Sequence, residues 1–323
     1  MYNAITDIEG IKVGHATNLQ GYTGCTVILC EKKAVGGVDI RGTAAGTRQM
    51  NALNMLHTVE EVNAILLAGG SAYWLDAAGG VMKYLEEQGR GFNVSFTTVP
   101  IVPTAIIFDL GFGDYQTRPD KDMGYEACLN SNTFPVAEGS IGAGTGATVG
   151  KLFGVSRATK GGVGTASIES IKGVRVAALV VVNAFGDVMD KDTREIIAGT
   201  RESETGTHFI NTAEQIRQGI TRNMFSPENT TLAVVATNVN LSKTEAHKVA
   251  QMASIGLART ISPVNSTFDG DVVFALSIGE KKADINTIGL LGEKVVMEAI
   301  NRAIRLADGF GLIPAYKDLF RGN

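Results

Sequence analysis

Four short stretches carry residue types suited to acyl chemistry. Asn229-Thr230-Thr231 opens the apolar run Leu232 to Ala236. A threonine hydroxyl is a weak nucleophile at neutral pH and acts only with an adjacent base. Threonine is also common at strand starts, so this stretch alone leaves both readings open. Asn183 closes Val180-Val181-Val182; there a side-chain amide either donates to a developing oxyanion or serves as a turn asparagine before Phe185-Gly186-Asp187. Asp269-Gly270-Asp271 precedes Val272-Val273-Phe274. Its two carboxylates can orient a nucleophile and an ammonium, or simply make a turn; the downstream Glu of a calcium loop is missing.

The fourth stretch is glycine-rich and runs from Gly139 to Lys151. It is not a P-loop: Thr145 stands where the first glycine is required, and Leu152 where Ser or Thr should follow the lysine. A dinucleotide fingerprint belongs in the first βα unit, not mid-chain. The expectation is instead a substrate-pocket wall at Gly142, Gly144, Thr145 and Gly146, with backbone amides close to a small substrate.

These residues need elements to hold them. Apolar runs of strand length occur at Ala64 to Ala68, Val176 to Val182, Leu232 to Ala236 and Val272 to Leu276. Near-continuous apolar strands are buried on both faces and must be covered. Helical patterns alternate with them. Ser71 is placed to cap a helix through Leu75, Ala78, Met82 and Leu85. Ser242 and Glu245 form a capping box ahead of Ala246, Val249, Ala250 and Ala253. A third amphipathic helix carries Ile288, Leu291, Val295, Ala299, Ala303 and Ile304. The pattern predicts a layered α/β fold. Between helix and buried strand, Arg222 to Asn229 reads as a surface loop, because Pro227 suits neither helix nor sheet.

Composition bounds the rest. The net charge of -4 is spread without a basic patch, so nucleic acid is not an expected partner. No run of eighteen apolar residues predicts a membrane span, and no secretion signal opens the chain, so a cytoplasmic protein is expected. Cys25, Cys30 and Cys128 form no CxxC and read as buried structural thiols in a reducing compartment. His15, His57, His208 and His247 are scattered, so neither a metal nor another cofactor is expected.

Taken in order, the motifs resemble those of the L-aminopeptidase/D-esterase family, which includes β-aminopeptidases and nylon-oligomer hydrolases. The resemblance spans nearly the whole chain: Ile5 to Ala16, Gly37 to Gly42, Leu67 to Ala72, Val99 to Pro103 with Ile107 to Leu110, the glycine loop, Lys160 to Ser167, Asn183 and Asn229-Thr230-Thr231. It implies a four-layer αββα sandwich, made as one catalytic domain and then cut between Asn229 and Thr230 into subchains 1-229 and 230-323. It also implies Thr230 as nucleophile, Asn183 as oxyanion donor, Asp269 and Asp271 as a supporting acidic pair, and a lysine matched by Lys151 or its rival Lys160. The implied substrate is a small peptide or amide, and the implied assembly a homotetramer or larger. The Thr nucleophile with Asp-x-Asp is closer to the nylon-oligomer branch than to members with Ser and Ser-x-Glu. Two alternatives stand beside this reading: an acyltransferase of the ornithine acetyltransferase type on the same fold, and a non-catalytic small-molecule binder.

Overall fold

The structure, a computed structural model, describes residues 1–118, 120–220 and 229–320. Of the expected surface loop, Arg222 to Glu228 lie outside the described residues. The principal strands are β1 (Ile11–Asn18), β2 (Thr23–Cys30), β3 (Val35–Ile40), β4 (Thr47–Arg48), β5 (Ala64–Ala68), β6 (Thr104–Ile106), β7 (Gly162–Glu169), β8 (Arg175–Asn183), β9 (Thr230–Val239) and β10 (Val272–Lys281). They form two five-stranded sheets, ordered β1-β2-β5-β6-β4 and β7-β8-β9-β10-β3. The covering helices are α1 (Ala77–Glu87), α2 (Lys121–Leu129), α3 (Lys243–Ala253) and α4 (Ile285–Arg305).

Successive strand residues face opposite sides of a sheet, and the burial follows that alternation. Ala177, Leu179 and Val181 of β8, Leu232, Val234 and Ala236 of β9, and Phe274 of β10 pack with Ile28, Ile65 and Leu67 of the other sheet. The alternate residues Ala178, Val180, Ala233, Val235 and Ala275 pack on Val249, Ala253, Val295 and Ala299 of α3 and α4. On the far side, Val27, Leu29 and Leu66 meet Ala78, Val81 and Leu85 of α1 and Cys128 of α2. Three apolar layers thus lie between four layers of structure, which is the αββα sandwich. The continuous apolar strands are explained by cover on both faces.

The helices mostly follow their sequence signals. Ser242 and Glu245 close their capping box ahead of α3. Ser71 does not cap α1. It has a left-handed φ of 61° and lies inside a 3-10 turn, Ser71–Asp76, that precedes α1. The close pair Gly69-Gly70 forces this: a side chain at Gly70 would overlap the Trp74 indole, so the chain must turn tightly before a regular helix begins. All three cysteines are free and buried. Burial pushes the Cys25 and Cys128 thiols up, Cys128 to about 12.

Candidate active site

β9 is the middle strand of the second sheet. On one side it pairs antiparallel with β8, setting Thr230 opposite Asn183. On the other it runs parallel to β10 from Leu232 opposite Val272 onward, and an isolated parallel bridge joins Asn229 to Asp269. Between that bridge and Leu232 the parallel ladder is interrupted at Thr230 and Thr231. The Thr231 amide donates instead to the Asp271 carboxylate, at 2.6 Å.

Thr230 sits in this gap. Its hydroxyl donates to the carbonyl oxygen of Asn229 at 2.5 Å, and the same oxygen accepts the Gly270 amide at 2.8 Å. Gly270 has to lack a side chain: a Cβ there would stand 2.8 Å from Thr230 Oγ1 and 2.8 Å from Ala44 O. The Asp-Gly-Asp spacing therefore leaves room for the hydroxyl between the two acids. Asn229 and Thr230 are both buried.

The acids are held by donors. Asp271 accepts Thr231 N on Oδ1 and Asn265 N, at 3.0 Å, on Oδ2. Asp269 accepts Phe185 N at 3.2 Å on Oδ1, with Ser266 N and Ser266 Oγ on Oδ2. Burial raises both carboxyl pKa values above the ordinary carboxylate range, and at Asp271 the charge of Asp269 adds to the rise.

Asn183 is fixed through its own amide. Its Oδ1 accepts Lys151 Nζ at 2.8 Å and Thr148 N at 3.0 Å, while Nδ2 donates to Phe108 O at 3.1 Å. Lys151 also donates to the Asn183 backbone carbonyl at 3.0 Å. Lys160 is placed differently. Its ammonium donates to Gly144 O, Ala147 O and Gly161 O at 2.8–3.0 Å, so it clamps the glycine loop. Burial pulls its pKa down to about 7, while three carbonyl acceptors favour its charged form.

The glycine loop differs from the expected wall of open amides. Gly142 N donates to Thr17 Oγ1, Gly144 N to Ile141 O and Thr145 N to Gly142 O. Gly142, Gly144, Thr145 and Gly146 are buried. A Cβ at Gly144 would stand 2.4 Å from Val163 N, and one at Gly146 2.4 Å from Asp109 Oδ2. The glycines buy close packing between the sheets, and the loop reaches the site through Thr148 N on Asn183.

Sequence reasoning missed the groups that complete the site: Ser266, the amides of Phe185, Asn265 and Gly270, and the carbonyl of Phe108. Backbone groups leave no signature in residue type. Ser266, three residues before Asp269, is the exception and reads as a serine that bonds locally to a nearby acid.

The sequence pattern of peptidase family S58 matches residues 3–310. The chain belongs to this family. It is accordingly a hydrolase of peptide or amide bonds. A Mycobacterium leprae protein named as an uncharacterized aminopeptidase is 39% identical, over 99% of this chain and 95% of its own. A 6-aminohexanoate-oligomer endohydrolase of Kocuria sp. is 29% identical, over 93% of this chain and 85% of its own. The solved L-aminopeptidase D-Ala-esterase/amidase of Ochrobactrum anthropi, described as a variant of the Ntn hydrolase fold, superposes with a TM-score of 0.72 at 20% identity, over 95% of this chain and 87% of that one. Among the described residues, no helix is long and apolar enough to cross a membrane.

Proposed function

We propose that this S58 hydrolase activates itself by cutting its own backbone between Asn229 and Thr230, and then uses Thr230 as an N-terminal nucleophile on small peptides or amides. One observation carries the reading: the Thr230 hydroxyl lies on the carbonyl of the peptide bond just before it, at 2.5 Å. The product is one domain of two subchains, 1–229 and 230–323.

Cutting supplies what the hydroxyl lacks. A free α-amino group has a pKa of about 7.7–8.0 and accepts the hydroxyl proton. Thr230 Oγ1 then attacks the substrate carbonyl, the leaving amine takes the proton, and water hydrolyses the ester on Thr230. Asn183 donates to the substrate oxyanion from the strand beside Thr230, with Lys151 against its amide oxygen. Asp269 and Asp271 hold the hydroxyl and the new ammonium in register, and the ionised carboxylate of the pair favours the ammonium form. The relative named as an aminopeptidase supports substrates with a free amino end, and the one named as an oligomer endohydrolase supports amide bonds within short oligomers.

Intact mass and N-terminal sequencing test the proposal. The smaller fragment should begin Thr-Thr-Leu-Ala-Val, Thr230→Ala should remain one chain, and Thr230→Ser should still cut. A Thr230→Ala protein that cuts at this bond overturns it.

A further inference from the structure

Thr230 has different neighbours on its two sides, and the Asn229 carbonyl points toward only one of them. Strand carbonyls alternate in direction. That of Asn229 is directed at the Asp269–Asp271 segment, where Gly270 N donates to it at 2.8 Å. Asn183 belongs to the strand on the opposite side, and its amide is oriented by Lys151 and Thr148 on Oδ1 and by Phe108 O at Nδ2.

We infer that the Gly270 amide is the oxyanion donor of self-cleavage, separate from the Asn183 donor used in turnover. The inference rests on the self-cleaving reading above. In the step itself, Thr230 Oγ1 bonds to the Asn229 carbonyl carbon and the Asn229–Thr230 C–N bond breaks. The hydroxyl proton passes to the departing nitrogen, which becomes the α-amine, and water then hydrolyses the Asn229 ester to a carboxylate. In the tetrahedral intermediate the Asn229 oxygen carries the negative charge. The Thr230 O–H···O bond is lost as that proton leaves, and the Gly270 N–H remains on the oxygen. The interrupted ladder suits this chemistry: the carbonyl to be attacked keeps its ladder donor Gly270 N, while the next ladder donor, Thr231 N, is diverted to the Asp271 side chain.

A purely structural ladder bond and an oxyanion donor make different predictions. Semisynthesis with glycolic acid at position 270 replaces the Gly270 N–H by an ester oxygen and adds no side chain. Loss of an oxyanion donor costs about 10²–10³ in rate, so cleavage of this chain, followed by intact mass, should slow by about that factor and still occur at Asn229–Thr230. Unchanged or faster cleavage overturns the inference, since a ladder bond stabilises only the uncut state. Asn183→Ala supplies a second arm that does not depend on the ester protein folding: it should cut within about tenfold of the parent rate and lose turnover. An Asn183→Ala protein that folds and stays uncut overturns the inference. Failure of the parent chain to cut, or cutting of Thr230→Ala, instead brings down the underlying reading.

Discussion

Lys151 and Lys160 are both buried, and their surroundings assign them different work. Lys151 ends on the Asn183 side chain, whereas Lys160 ends on three carbonyls of the glycine loop and its neighbour. Lys151→Met should therefore keep the fold and lower kcat by about 10²-fold or more, the scale of lost electrostatic support at an oxyanion. Lys160→Met should act on stability: Gly161 O loses its donor, at about 1–3 kcal/mol for an unsatisfied group, while Ala147 O and Gly144 O keep the backbone donors Gly161 N and Ala147 N. Denaturant titration of the two variants in a Thr230→Ala background separates the roles. The pH profile belongs to this scale as well. With an uncharged-substrate ester, kcat/KM should rise with pH as the Thr230 amine loses its proton, near about 8 for an ordinary amine. An ionised carboxylate nearby favours the ammonium and moves that limb up. Asp269→Asn should accordingly move it down, measured on protein that has already been cut. A profile flat from about pH 5 to 10 would remove the amine from the role of base.

At the scale of elements, the strands that hold the site are stiffened by the core between the sheets. Phe274 sits in that core near the start of β10, and Phe274→Ala should cost about 3–5 kcal/mol. Ser242→Ala should cost only about 1 kcal/mol, because it removes one cap of α3 and leaves the site untouched. Thermal melts of the uncut Thr230→Ala protein read both effects. These elements were the most legible part of the sequence, since apolar runs and capping boxes act locally: β5 matches its expected bounds, and α3 begins where Ser242 and Glu245 place it. The site was legible only as separate fragments. Asn183, Thr230 and Asp271 lie far apart along the chain, and their meeting depends on strand order, which alternation does not encode. The glycine loop was ambiguous for a related reason. Glycine permits a close approach to a ligand and to another strand equally well, and here the neighbour is protein.

For the whole molecule, strand order decides what a cut would do. The smaller subchain would contribute β9 and β10, while β8 on one flank and β3 on the other belong to the larger one. The two pieces share the core between the sheets and the layer beneath α3 and α4. Cut protein should therefore run as one species in native mass spectrometry, and its subchains should part only when the fold is lost in denaturant. Subchains that exchange freely under native conditions would contradict the interleaved arrangement.

That interleaving also bears on synthesis. The ribosome delivers Thr230 well before the acids beside it: Asp271, which takes the Thr231 amide, lies 40 positions beyond Thr231. The slot between β8 and β10 that holds the threonine does not exist until β10 has been translated and inserted beside β3. On the proposed mechanism a nascent chain would carry an inert threonine, and a truncated product that ends before β10 would stay inert. Scission at Asn229–Thr230 would report that the second sheet has closed, so that an active hydrolase appears only from chains whose folding is finished.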